Sequence, residues 1–163
     1  MQHLATVLAF TFLTAGSALA QTSSTKKMDP QKKETQALGM VWEAEYGYAQ
    51  GLQQDGTVWL SGQIGHDEHG LVADGMEAQM RAAYANIRKL LAGFGLTMDD
   101  VVDETLFVLD NSTAYTARQK LGREVYADPM QVPSTMIGVA ALNLPTLLVE
   151  IKVVAKKSPA AAK

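Results

Sequence analysis

The apolar positions of this chain fall into segments of distinct period. Met76, Met80, Ala83, Tyr84, Ile87, Leu90, Leu91 and Phe94 recur at three- and four-residue spacing, which predicts an amphipathic helix with one apolar stripe. Asp74-Gly75-Met76-Glu77 has the form of a capping box at its start, and Gly93 and Gly95 mark its end. Upstream, Tyr48–Gln53 and Thr57–Ile64 flank Gln54-Asp55-Gly56, a hairpin signal because glycine supplies the positive φ of a tight turn. In the second run Val58, Leu60 and Gly62 alternate with Trp59, Ser61 and Gln63, so plain alternation puts Ser61 and Gln63 on one face. Val101–Leu109 is β-branched and aromatic enough for a buried strand. Ser112 or Thr113 caps a second helix reaching about Tyr126 through Gly122. Pro129 and Pro133 bracket a loop, and Ser134–Leu142 and Leu147–Ala155 predict two further strands around Asn143-Leu144-Pro145.

The order of elements is hairpin, helix, strand, helix, strand, strand. It implies an α+β domain, a sheet with helices on one face. The other face then needs a cover that the chain does not supply, and self-association through the sheet is the economical solution.

The ends of the chain read differently. Leu4–Gly16 is an apolar run followed by Ser17-Ala18-Leu19-Ala20, with small residues at the spacing of a signal-peptidase site. Residues 1–20 are therefore expected to be a signal peptide cleaved before Gln21, although Met1-Gln2-His3 carries no Lys or Arg. The run is too short to span a bilayer, which takes about 20 apolar residues. Export to the periplasm or the exterior follows as an expectation, with no membrane attachment after cleavage. Residues 21–36 are polar and charged and read as a flexible leader, and 156–163 as a flexible basic tail, leaving 37–155 as the folding unit.

Composition narrows the function classes. The chain of 163 residues has no cysteine, which excludes disulfide scaffolds, thiol catalysis and cysteine-ligated zinc. Its net charge of −3 is unevenly spread. Glu34–Ala155 holds seven Lys/Arg against sixteen Asp/Glu, a net −9, while each end carries +3. A body of that charge repels a polyanion, so no nucleic-acid partner is expected.

Motifs for nucleophilic or phosphate chemistry are missing: there is no Gly-x-Ser-x-Gly, Walker loop, Rossmann glycine pattern or His-Glu-x-x-His. Gly62–Gly70 (GQIGHDEHG) concentrates His66, Asp67, Glu68 and His69, but four consecutive donors cannot all face one ion. That segment reads as a solvated loop, and no metal is expected. Glu150 is more informative, because Leu147, Val149, Ile151, Val153 and Val154 surround it. Burial of such a carboxylate raises its pKa and suits it to general acid or base work near neutrality.

Three segments together resemble the Rid family, also called the YjgF or reactive-intermediate deaminase family. They are Tyr48-Ala49-Gln50-Gly51 with Val58-Trp59-Leu60-Ser61-Gly62-Gln63-Ile64, the stretch Gln79–Val108 with Asn86-Ile87 and Asp100-Val101-Val102, and Leu148-Val149-Glu150-Ile151. The resemblance covers about Trp42 to Ala155, and its opening, Trp42–Tyr48, looks like a divergent branch. It implies a chorismate-mutase-like mixed sheet with two helices on one face, assembled as a homotrimer with clefts between subunits. It also implies hydrolysis of imines or enamines to carbonyl compounds and ammonia, without metal or cofactor. Glu150 takes the position of the glutamate that handles water, Tyr48 that of the pocket tyrosine, and Ser61-Gly62 that of the lining segment. Gln119 falls where many members have asparagine, and Met136 where some have cysteine.

The arginine with which archetypal members grip the substrate carboxylate is replaced by Ser134. A guanidinium offers charge and two oriented hydrogen bonds where a serine hydroxyl offers one neutral bond. The pocket is therefore expected to suit a neutral, amine-bearing or apolar ligand, with Tyr48, Met136, Trp42 and Ile137 as walls; Arg118 or Arg123 would have to reach in from the second helix, where surface arginines are usually solvated. Three readings stand in order. The first is a trimeric hydrolase of a small C–N compound, with Glu150 handling water. The second is a non-catalytic trimer that binds a small metabolite in the same cleft. The third, an RNA-cleaving protein, fits the acidic body poorly.

Overall fold

The computed structural model describes residues 32–157. The expected signal segment, most of the expected leader and the tail beyond residue 157 lie outside the described residues.

The hairpin forms between β2 (Gly51–Gln54) and β3 (Thr57–Leu60). Its turn puts Asp55 at φ 48° and Gly56 at φ 72°, the paired positive values that match the right-handed twist of two short strands. A strand precedes it: β1 (Glu34–Gln36) pairs antiparallel with β2. The expected leader thus ends early, because its last three residues join the sheet edge. Edge pairing is made by backbone groups and tolerates polar side chains, so composition did not reveal it.

The remaining strands are β4 (Gln63–Ile64), β5 (Val101–Val108), β6 (Ser134–Gly138) and β7 (Val149–Lys156). The sheet order is β1-β2-β3-β7-β5-β6, with β4 also on β7. Only the β5–β6 pair is parallel, which makes the sheet mixed. Helices α2 (Met76–Gly93) and α3 (Asn111–Val125) pack on each other and on one face of the sheet. On β7 the side chains of Val149, Ile151, Val153 and Ala155 are fully buried on that face. Glu150, Lys152, Val154 and Lys156 alternate with them on the face the helices leave open. Trp59 pairs with Val154 there, and Ile137 and Glu150 both pair with Phe107. Trp59 and Ile137 are exposed large apolar side chains, so the uncovered face deduced from the element order is present.

The helix ends depart from expectation. Asp74 makes no capping box: the N-cap of α2 is Gly75, at φ 82° and without a side-chain cap. The C-terminus closes through Gly95 (φ 72°), with its N–H on Ala92 O and that of Leu96 on Leu91 O. For α3 the cap is Asp110, which accepts from Thr113 N at 2.7 Å, rather than Ser112 or Thr113. Gly122 breaks the helical backbone inside α3, at φ 37° and ψ −119°. A short helix absent from the periodicity, α1 (Val41–Tyr46), precedes the hairpin. It buries no residue, so it leaves no apolar stripe to read. The Glu43 carboxylate fixes its start by accepting from Leu38 N and Gly39 N.

Candidate functional site

A register change builds the site. Through β3 the pairing with β7 runs Thr57↔Lys156, Val58↔Ala155 and Trp59↔Val154, but β4 resumes as Gln63↔Ile151 and Ile64↔Glu150. One extra residue therefore lies on the β3–β4 side, across Ser61-Gly62. Such an insertion re-aims every side chain beyond it. Gln63 turns to the face of buried Ile151, and Ile64 shares the face of Glu150. Ser61 and Gln63 thus do not share a face by plain alternation.

Beside this irregularity lies a cleft of about 630 Å³, lined by Tyr48, Ser61, Gly62 and Glu150 among others. Glu150 is half-buried, and its carboxylate has no hydrogen-bond or ion-pair partner among the described residues. Burial pushes its pKa above the ordinary glutamate value. Gly62 makes room for it: a β-carbon there would come within 2.7 Å of Glu150 Cγ and closer still to Oε1.

Tyr48 is set by a relay of buried amides. Gln63 Nε2 donates to Gln50 Oε1 at 2.7 Å and to Ser61 O at 2.9 Å, and Gln50 Nε2 donates to Tyr48 Oη at 3.2 Å. The Tyr48 oxygen is thereby an acceptor on its protein side, and its own proton is left for the cleft. Its pKa is raised by burial first, then by the charges of Glu43 and Glu150, with a hydrogen bond from Trp42 acting against them. The Ser61 hydroxyl is spent on Ala49 O at 2.8 Å, so this residue shapes the wall rather than offering a free donor.

His66 and α1 complete the wall; Trp42 was expected there, but the helix that carries it and His66 were not. Asp67, Glu68 and His69 are exposed as a solvated loop should be, but His66 is only 4 % exposed and lines the cleft. Its Nδ1 lies 2.7 Å from Asp67 O, and a carbonyl only accepts, so the proton sits on Nδ1. Asn86 Nδ2 holds the His66 carbonyl at 3.0 Å and reaches Ile64 O at 3.2 Å. Trp42 of α1 stands edge-on to the imidazole, with ring centroids 5.0 Å apart, and packs over Gly70. The signal for His66 was the small residue before it: a β-carbon on Gly65 would strike the α2 backbone at Gln79, so this part of the loop must lie against the helix. Among the described residues no group of three His, Asp or Glu side chains is placed to hold a metal ion.

The other expected site residues lie elsewhere. Ser134 and Met136 are in register with Glu104 and Leu106 on the helix-side face, whereas Glu150 points to the open face. Ser134 Oγ donates to Glu104 Oε1 at 2.7 Å. Glu104 is fully buried and also accepts from Tyr84 Oη at 2.7 Å and Tyr126 Oη at 2.6 Å. Arg118 pairs with it at 3.4 Å, its guanidinium over both tyrosine rings. Burial, and then the charge of Glu104, push both phenols far above their usual range. Arg118 is therefore a member of this cage and not a cation of the cleft, and Arg123 is exposed on α3 and does not line it. Gln119 is exposed and donates to Tyr115 Oη at 3.1 Å. Gln119, Ser134, Met136 and Ile137 thus stand apart from the cleft of their own protomer. Glu104 was legible, because it shares its strand side with Leu106 and Val108, and a charge on a buried stripe needs partners.

Fold and cleft define the class: a small α+β protein with a mixed sheet, two helices on one face and a half-buried strand glutamate over a glycine. The family model described as Endoribonuclease L-PSP matches residues 34–157, and the chain belongs to this YjgF/Rid family. It is 30% identical over 113 residues to the RutC family protein YjgH of Escherichia coli K12, covering 69% of this chain and 85% of that one. Rv2704 of Mycobacterium tuberculosis, a YjgF/YER057c/UK114 family structure, is 27% identical with a TM-score of 0.68 over 77% of this chain and all (100%) of that one. RidA of the Antarctic bacterium Psychrobacter sp. PAMC 21119, at 24% identity and TM-score 0.63 over 76% of this chain and 93% of that one, shares the fold.

Proposed function

We propose that this protein is a Rid-type hydrolase that deaminates a small imine, enamine or related C–N compound not anchored through a carboxylate. The observation that carries the reading is Glu150: half-buried, unpartnered, raised in pKa, and on the same cleft as a tyrosine hydroxyl with a free proton. In the reaction Glu150 takes a proton from water as the oxygen adds to the C=N carbon, and Tyr48 donates to the nitrogen. The carbinolamine then collapses: its hydroxyl proton returns to the Tyr48 phenolate, the proton held by Glu150 passes to the nitrogen, the C–N bond breaks, and ammonia and a carbonyl compound leave. No redox equivalent is needed. A glutamate whose pKa is displaced toward neutrality serves as base and acid in turn.

The site residues separate into two groups, and this supports assembly. Tyr48, Ser61, Gly62 and Glu150 line the cleft, while Gln119, Ser134 and Met136 lie on the α3–β6 side. A homotrimer that seats the second group of one subunit beside the first group of the next brings them together and covers the open sheet face. The acidic body and a cleft lined without Lys or Arg favour a small molecule over RNA as the partner, despite the endoribonuclease in the family description. Export rests on the sequence of residues 1–20 alone.

A second reading has its own support. Ser134 stands where archetypal members carry the carboxylate-binding arginine, and its hydroxyl is committed to Glu104. A scaffold without that anchor can bind a metabolite without turnover. The test is ammonia release by the purified protein from 2-aminoacrylate and from neutral imines, beside Glu150→Ala. Turnover abolished by Glu150→Ala supports the hydrolase, and binding with no turnover supports the second reading.

A further inference from the structure

The cleft has a consistent chemistry that its family membership does not assign. None of its lining residues is Lys or Arg, and two, Glu45 and Glu150, are acidic. Trp42, Tyr46 and Tyr48 present three aromatic rings to the same space. His66 is a buried polar lining residue whose Nδ1–H is committed to its own loop. Its Nε2 has no hydrogen-bond partner, yet it is not sealed off: the only fully buried unpartnered side-chain polar atom among the described residues is Arg118 Nε. With Nδ1 turned to its own loop, Nε2 is the ring nitrogen left for a ligand. Two carboxylates among three aromatic side chains, with no Lys or Arg in the lining, complement one kind of group, a cation bearing N–H.

We infer that the cleft selects cationic nitrogen, and that its substrate enters as a protonated imine or amine on a small apolar body rather than as an imino acid. This rests on the reading of the cleft as the substrate site. Protonation of the imine makes its carbon the better electrophile and does the work assigned to Tyr48 for a neutral imine; the aromatic side chains and carboxylates stabilise that form, whereas an anion meets two carboxylates with no Lys or Arg to offset them. The reaction class that supplies such a substrate is the two-electron oxidation of an amine lacking an adjacent carboxylate.

Three probes that share one ring and differ in charge test the inference: benzylamine, protonated at neutral pH, benzyl alcohol and benzoate. Calorimetric titration of the mature protein is expected to show benzylamine binding about tenfold or more tighter than benzyl alcohol, and no binding of benzoate. Glu150→Gln, which keeps the shape and removes the charge, should reduce the preference, and Trp42→Leu should weaken benzylamine most. Benzoate binding as tightly as benzylamine, no benzylamine binding at millimolar concentration, or a preference unchanged in both variants overturns the inference. Failure of the hydrolase reading is separate: benzylamine selectivity without ammonia release from any imine leaves the cation site in place and removes the catalysis. Turnover of an anionic imine with preferential binding of benzoate does the reverse.

Discussion

Glu150 lies against the bare backbone of Gly62, with no space between them for a methyl group. The contact joins two elements that meet only because one extra residue separates the registers of β3 and β4 on β7. It explains why a small residue sits beside the carboxylate, and it gives a direct handle on the site. Gly62→Ala displaces the carboxylate while leaving the core of the sheet in place. Loss of about tenfold to a hundredfold in kcat/KM, or in ligand affinity, is expected at nearly unchanged secondary structure by circular dichroism. Wild-type activity in this variant would show that Glu150 does not need its observed position.

The pKa of Glu150 is raised in the fold because burial penalises the charged form. The folded protein then holds this proton to higher pH than the unfolded chain does. From the ordinary glutamate value up to the raised one, stability falls as pH rises. Glu150→Gln is therefore expected to raise the denaturation midpoint at neutral pH and to change it little in acid. Denaturant titrations at the two pH values check the sign, which is opposite for a carboxylate held by a salt bridge.

The cage around Glu104 is structural, and its disruption should appear as stability. Ser134→Ala removes one charge-assisted hydrogen bond and should cost about 1.5–3 kcal/mol. Glu104→Ala strands the Arg118 cation among Tyr84 and Tyr126 and should cost about 3–5 kcal/mol. Urea unfolding measures both. A Glu104→Ala protein as stable as wild type would mean that solvent reaches the cage.

Trp59 and Ile137 stand exposed on the sheet face opposite the helices. If that face is covered by copies of the chain, light scattering gives a mass about three times that of the mature subunit. Trp59→Glu should shift the species toward monomer and reduce ligand binding with it. A monomeric wild type removes both the trimer and the joining of the two residue groups.

The N-terminal segment makes an independent prediction. Protein recovered from the native host should begin at Gln21, a result read directly by mass spectrometry of the intact chain. A mature protein that still carries Met1 disproves cleavage.

What the sequence determined by itself was what rests on local period and local chemistry. The apolar stripe of α2, the Asp55-Gly56 turn and the alternation along β7 follow from residue spacing, because backbone geometry alone decides which side chains share a face. Glu150 could be singled out for the same reason, as a charge amid apolar neighbours. Relations between segments distant in the chain came only with the folded structure. The register offset that turned Gln63 inward, the packing of Trp42 on His66, and the capture of Ser134 by Glu104 each depend on which strand pairs with which, and at what offset. A one-residue offset reverses faces without altering composition. So the hydroxyl of Ser134, read as a pocket position, is held by a buried carboxylate that its own segment does not announce. His66 read as one of four solvated donors and proved to be a buried lining residue of the cleft.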